Sequence, residues 1–162
     1  MSNSRRITLF AASTLVGLTG CDTPSPQQTA VAEPAVHREQ PRNESKGKKM
    51  KATIGSRTFT ATLDDNPAAA KLRAMLPLTL DMSELNGNEK FSRLPTPLPT
   101  DATDPGTIRN GDLMLWGADT LVLFYKSFQT TYSYTQLGRI DDPEGLAAAV
   151  GSGSVTVTFE LE

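Results

Sequence analysis

The sequence predicts a mainly β domain over residues 50–162, a small closed barrel of about eight strands with two short helices. Three observations carry this. Short apolar or alternating runs are separated by tight turns, Gly55-Ser56, Asn110-Gly111-Asp112 and Gly117-Ala118-Asp119. Helical patterning occurs only twice, each time briefly and just after an acidic or amide residue followed by proline. The run Thr120 to Tyr125 is apolar on both faces, with Leu121, Leu123 and Tyr125 on one and Val122 and Phe124 on the other. A wall of a filled barrel whose outside is covered by a helix has that pattern.

Taken in order, Lys51–Ile54 and Thr58–Leu63 form a first hairpin. Asp64-Asp65-Asn66-Pro67 then caps a helix over Ala68–Met75, with Asp65 or Asn66 as N-cap and Pro67 near the first helical position, where a missing N–H costs nothing. Pro77 stops it. Leu78–Met82 alternates as a strand, Asn86-Gly87-Asn88 turns the chain, and Glu89–Leu94 reads as a further strand. From Leu94 to Thr107 four prolines rule out a ladder, leaving a long loop. Leu113–Trp116 and Thr120–Tyr125 make a second hairpin, and Tyr132–Gln136 and Leu137–Ile140 follow as two strand-like runs. Asp141-Asp142-Pro143 repeats the capping device before a helix over Glu144–Val150, closed by Gly151, and Ser154–Leu161 is an alternating last strand.

The 162 residues hold one cysteine and one histidine, so no disulfide forms within the chain. His37 lies among Pro, Glu, Gln and Arg, outside the predicted domain, which therefore has no imidazole for a zinc site or a histidine base. Most common hydrolase machinery is excluded, and no cofactor is expected. Residues 1–49 carry 7 basic and 4 acidic side chains, and residues 50–162 carry 9 and 14. An acidic domain with singly spread lysines and arginines is not a nucleic-acid binder, which needs a dense basic face to displace counterions.

Residues 1–20 read as an export signal: Arg5-Arg6, then an apolar run from Ile7 to Leu18 that is short for a membrane span. The run ends in Leu18-Thr19-Gly20-Cys21, which resembles the lipobox of bacterial lipoproteins, and that resemblance implies acylation of Cys21 after cleavage. A buried core cysteine is the alternative. Arg5-Arg6 also resembles part of a twin-arginine signal, with Thr8 and Phe10 departing from it, and Asp22 resembles an inner-membrane retention signal. At about 0.8 kcal/mol per buried methylene, two or three acyl chains hold a domain at a bilayer firmly. The expected partner is thus a membrane, reached through the lipid anchor, and the expected location a bacterial cell envelope, on its periplasmic side or surface. Residues 21–49 are rich in Pro, Gln, Ser, Thr and Lys with no aromatic residue, and read as a flexible tether of roughly 30 Å reach. Its closing lysines, Lys46, Lys48 and Lys49, read as a solvated charge run or as a contact to anionic lipid.

The order of hairpin, Asn-Pro-capped helix, strand, Pro-rich loop, hairpin, Leu137-Gly138-Arg139-Ile140 and final alternating strand resembles the minimal bacterial cyclophilin-like family over about Met50 to Glu162. The resemblance implies a reduced cyclophilin-type β-barrel. Cyclophilins isomerise X-Pro bonds with an arginine carried in a Phe-His-Arg segment and followed by a Gln-Gly-Gly-Asp turn. Here Phe91-Ser92-Arg93 is the nearest approach and the turn is absent, so isomerase activity is not expected.

The candidate contact residues are Phe91, Trp116, Tyr125, Phe128, Tyr132, Tyr134 and Arg139. Trp116 to Tyr134 gathers most of the aromatics of a chain that is only 6% aromatic. Filling the barrel is one use for them. Phe128, Tyr132 and Tyr134, in a polar loop, are better placed for a contact surface. Arg139 would grip an anion or pair with a carboxylate, and Asp141, Asp142 and Glu144 read as caps rather than calcium ligands. Gly151-Ser152-Gly153-Ser154 follows a helix and so reads as a turn, not a phosphate cradle. Two functions stand: a tethered, non-catalytic module binding a peptide or small molecule, and a weak peptidyl-prolyl isomerase. An apolar groove with an exposed arginine near Phe91 would favour the isomerase. A filled barrel without that groove would favour the binder or no pocket at all.

Overall fold

The computed structural model describes residues 48–162. Residues 1–47, on which the expected export signal, the expected acylation of Cys21 and most of the expected tether fall, lie outside them. Ten strands and two helices succeed one another: β1 (Lys49–Ile54), β2 (Arg57–Leu63), α1 (Pro67–Ala74), β3 (Leu78–Leu85), β4 (Glu89–Arg93), β5 (Thr107–Ile108), β6 (Asp112–Trp116), β7 (Thr120–Phe124), β8 (Phe128–Gln129), β9 (Thr135–Ile140), α2 (Leu146–Val150) and β10 (Val155–Leu161). Eight strands close an antiparallel barrel in the order β1-β10-β3-β4-β7-β6-β9-β2, and β5 pairs with β8 as a separate ribbon. The fold is the mainly β closed barrel with two short helices that the turn spacing and alternation predict.

The interior is filled by inward residues such as Met50, Ala52, Leu115, Leu123, Leu137 and Phe159, all essentially inaccessible to water. Helix α1 closes one part of this core. Asn66 Oδ1 accepts from the Ala69 N–H at 2.8 Å, Pro67 starts the helix without needing a hydrogen bond, and Ala68, Ala69 and Leu72 face inward. Burying a side chain like Leu72 stabilises by about 1.5 to 3 kcal/mol. Asn66 Nδ2 also donates to the Gln136 carbonyl, so the cap ties helix to β9.

Four details differ from the sequence reading. The two runs between Tyr132 and Ile140 are one strand, β9, whose pairing with β6 is broken by a register shift at Leu113/Met114. Gly138, at φ 152°, sits at that irregularity against β2, where a side chain would strike Thr62 and Leu63. Helix α2 begins at Leu146 behind a left-handed Gly145; Asp142 instead accepts from the Glu144 N–H at 3.1 Å in a local turn. The outer face of β7 is covered by the β5–β8 ribbon and its flanking loop, not by a helix: Val122 and Phe124 pack with Ile108, Met114 and Tyr134. Finally, β1 starts at Lys49, and both lysines before Met50 belong to the fold, with Lys48 paired to Asp65 at 2.9 Å and Lys49 to Asp141 at 2.6 Å.

The proline-rich loop is ordered. Leu94 and Leu98 are buried, and their N–H groups donate to Asp119 and Ala118 in the β6–β7 turn at 2.7 and 2.8 Å.

Candidate functional site

On β4, residues alternate between the barrel interior and its outer face, so Lys90 points in while Glu89, Phe91 and Arg93 point out. Their neighbours in register on β7 are Phe124, Val122 and Thr120. Glu89, Phe91, Arg93, Val122 and Thr120 form the floor of a groove of about 840 Å³ on the outside of the barrel, and Phe124 is buried outside its lining. The far wall is the segment from Phe128 to Tyr134, with Trp116 at one end and Leu85 and Asn86 at the other. That volume is in the range of sites that hold small molecules or a few peptide residues.

The wall stands where it does because of Phe124. Its ring meets Phe128 at 5.7 Å between centroids, tilted, and Tyr134 edge-on at 5.5 Å and 87°. Such pairs add about 0.5 to 1.5 kcal/mol each beyond buried area. Thr103 and Tyr134 exchange backbone hydrogen bonds of 3.0 Å, which fixes the segment from its other side. Anchored in this way, the wall carries Tyr132 at the rim, 69% exposed, facing a groove that also holds Trp116, 55% exposed. Large aromatic surface left in water beside a concavity is the usual mark of a contact site.

Of the residues singled out in the sequence, the fold brings Phe91, Trp116, Phe128, Tyr132 and Tyr134 into one lining. Tyr125 and Arg139 stand apart from it. Tyr125 turns into the barrel, where its hydroxyl donates to Glu84, and burial together with that carboxylate pushes the phenol up to about 12. Arg139 faces Asp112 at 3.5 Å and donates to the Asn110 carbonyl, at a separate polar recess of about 260 Å³ shared with Asp64 and Arg109. Burial raises the carboxyls of Asp64 and Asp112. The carboxylate pairing weighed for Arg139 is the one the fold makes.

Arg93 lies in the same lining as Phe91. Its guanidinium is 81% exposed and reaches Asp119 at 3.2 Å. Asp141 is taken by Lys49 and Thr62, which hold its carboxyl below the usual range despite partial burial. Among the described residues no three His, Cys, Asp or Glu side chains gather as metal ligands.

Sequence reasoning missed Glu89, the one acidic side chain buried among the described residues, 8% exposed in the groove floor. Glu89-Lys90-Phe91-Ser92-Arg93 alternates charge with less polar residues on both faces, so the strand itself does not tell which charge is inside. Only the register with apolar β7, whose inward residues are Leu121 and Leu123, settles it.

A closed eight-stranded antiparallel barrel with two short helices and a concavity on its outer wall is the layout of a cyclophilin-like domain. The model of the cyclophilin-like family matches residues 52–160, and the chain belongs to that family. No curated protein is a significant match to the chain.

Proposed function

We propose that this chain is a lipoprotein of a bacterial envelope, tethered through Cys21, whose cyclophilin-like domain holds a peptide or small molecule in the outer groove without catalysing a reaction on it. The tether rests on the Leu18-Thr19-Gly20-Cys21 pattern and the polar segment after it. The observation that carries the binding role is the groove itself, an apolar floor of Phe91 and Val122 faced by Phe128, Tyr132 and Trp116 on an otherwise filled barrel. Apolar contact gives about 25 cal/mol per Å² removed from water, so a ligand covering these rings has a sufficient source of affinity. Trp116 is the sole tryptophan and reports occupancy by its fluorescence. Compounds and short peptides that raise the melting temperature of the protein should shift that fluorescence and lose at least about tenfold in affinity in Phe91→Ala. Hits that leave Trp116 silent and bind Phe91→Ala equally well would place the ligand elsewhere and end this reading.

One observation favours the isomerase reading: an exposed arginine does share an apolar groove with Phe91. Twisting an X-Pro amide past a barrier of about 18 to 20 kcal/mol needs a donor held against the amide in a dry site. Arg93 is in water and engaged by Asp119, and misplacement by about 1 Å costs on the order of a hundredfold in rate. A protease-coupled assay on X-Pro peptides should show no acceleration above background. A catalysed rate that disappears in Arg93→Ala would make the isomerase the better reading.

A further inference from the structure

Glu89 is at odds with the rest of its surroundings. The residue is more than nine-tenths buried, flanked in register by Leu85 and Phe124, and its carboxylate has no hydrogen bond or ion pair among the described residues. The other carboxylates near the site are provided for: Glu84 by Lys90, Tyr125 and the Gly87 N–H, and Asp119 by Arg93 and Thr120. A carboxylate on a residue this buried, with no protein donor, leaves its lone pairs to the groove alone, and the groove is large enough for a ligand.

The lysine next in sequence cannot serve it. Lys90 lies on the opposite face of β4, committed to Glu84 and the carbonyls of Gly151 and Gly153. Lys126 stacks over the Tyr125 ring, 5.9 Å from its centroid. Burial, and next the nearby charge of Glu84, raise the proton affinity of Glu89, while Glu89 in turn helps to raise the Tyr134 phenol beside it. Asn88, whose Oδ1 is buried without a partner, belongs to the same end of the lining. This end is thus rich in acceptors and negative in potential, and it opens onto the Phe91–Val122 floor. A matching ligand brings a donor-rich positive group attached to an apolar body.

We infer that the groove selects ligands bearing an organic ammonium group next to an aromatic or aliphatic body, with the ammonium seated on Glu89 and the body on Phe91, Val122 and Phe128. The inference rests on the groove being the binding site. A charge-assisted N–H···O⁻ bond in a largely water-free setting is stronger than the same bond in solution, so the head group carries selectivity and the body carries affinity. The ammonium of a peptide amino terminus and that of a small arylalkylamine present the same chemistry.

The test uses the full-length protein with Trp116 fluorescence and calorimetry, and three probes of matched shape: 2-phenylethylamine, 2-phenylethanol and 3-phenylpropionate. The amine should bind at least about tenfold more tightly than the alcohol, with the acid weakest, and Glu89→Gln should bring amine and alcohol to within about twofold while keeping the alcohol bound. Phe-Leu amide with a free or an acetylated amino terminus tells the two sources apart. A free dipeptide that outcompetes the simple amine assigns a peptide terminus, and the reverse order assigns a small amine. Equal binding of amine and alcohol, or an amine preference that survives Glu89→Gln, would overturn the inference and leave the groove reading standing. Silence from every probe in both readouts would overturn both.

Discussion

Glu84 and Lys90 face each other in register across the β3–β4 hairpin, carboxylate to ammonium at 2.5 Å, with the lysine wholly buried at one end of the barrel. Lys90 also donates to the Gly151 and Gly153 carbonyls, so one ammonium holds together the β3–β4 hairpin and the connection from α2 to β10. Removing one member of a buried pair costs more than the pair contributes, because the other charge stays behind. Lys90→Met should therefore lose about 3 kcal/mol in chemical denaturation. Lys90→Met combined with Glu84→Gln should recover part of that loss, a coupling that a double-mutant cycle reads directly.

The acid limb of the stability curve depends on the same pair. Although partial burial works the other way, the bonds from Lys90, Tyr125 and the Gly87 N–H leave Glu84 with a carboxyl below its ordinary value. Its contribution is present above the unfolded glutamate value of about 4.3 and is lost as pH falls through the lower folded value. In Glu84→Gln that part of the acid-induced destabilisation should vanish, as followed by melting temperature from pH 7 downward.

Glu89 has the opposite sign. Burial, reinforced by Glu84, raises its carboxyl in the folded state, so it weakens the fold increasingly as pH climbs from the unfolded value, about 4.3, through the raised folded value. Glu89→Gln should stabilise the protein at pH 7 by up to about 1 kcal/mol, since the carboxylate keeps some contact with water in the groove, and the gain should disappear below about pH 4. Equal melting temperatures at pH 7 would show that the carboxylate costs the fold nothing.

At Gly138 a methyl group would meet the Thr62 carbonyl oxygen and approach the Leu63 Cα to 2.9 Å, on a backbone already at φ 152°. Strain and overpacking add, each at about 1 to 3 kcal/mol. Gly138→Ala should open the β2–β9 seam, with amide exchange accelerated at Thr62 and at Asp64, whose N–H donates to the Leu137 carbonyl, and a lower denaturation midpoint. Gly153→Ala, which meets nothing within 4 Å, is the matched control.

At the other end of the chain, Cys21→Ser should abolish uptake of labelled palmitate and leave an uncleaved precursor in cells. Normal maturation with retained label would remove the lipoprotein reading and leave the groove intact.

Much of the barrel was legible because its grammar is local. Gly55-Ser56 and Gly117-Ala118-Asp119 mark hairpins by themselves, and the split of Leu121 and Leu123 from Val122 and Phe124 follows from period two alone. What escaped depends on partners far away in sequence. Nothing near Phe128 signals that two residues pair with Thr107 and Ile108 to roof the outer face, and a two-residue ribbon has too few positions to show alternation. Helix α2 is shorter than its sequence suggests because Asp142 and Pro143 resemble Asp65 and Pro67 in type, whereas Gly145 breaks the second copy of the device. The aromatic clustering did point toward the groove. Its acid did not show, since a glutamate in an exposed hairpin and one pressed against Phe124 have the same spelling.

The seam between β1 and β10 ties Met50 to Leu161 in register, so the first strand of the barrel finds its second neighbour in the last. Until Val155–Leu161 is present, β1 offers an open row of N–H and C=O groups along one side, and the entropy of bringing the two chain-distant strands together has not yet been met. Rings sealed by their most distant strands fold late and comparatively slowly, in milliseconds to seconds. A ribosome delivers this chain amino terminus first, so the barrel stays unsealed until the final strand has emerged and closes only after that strand has been made.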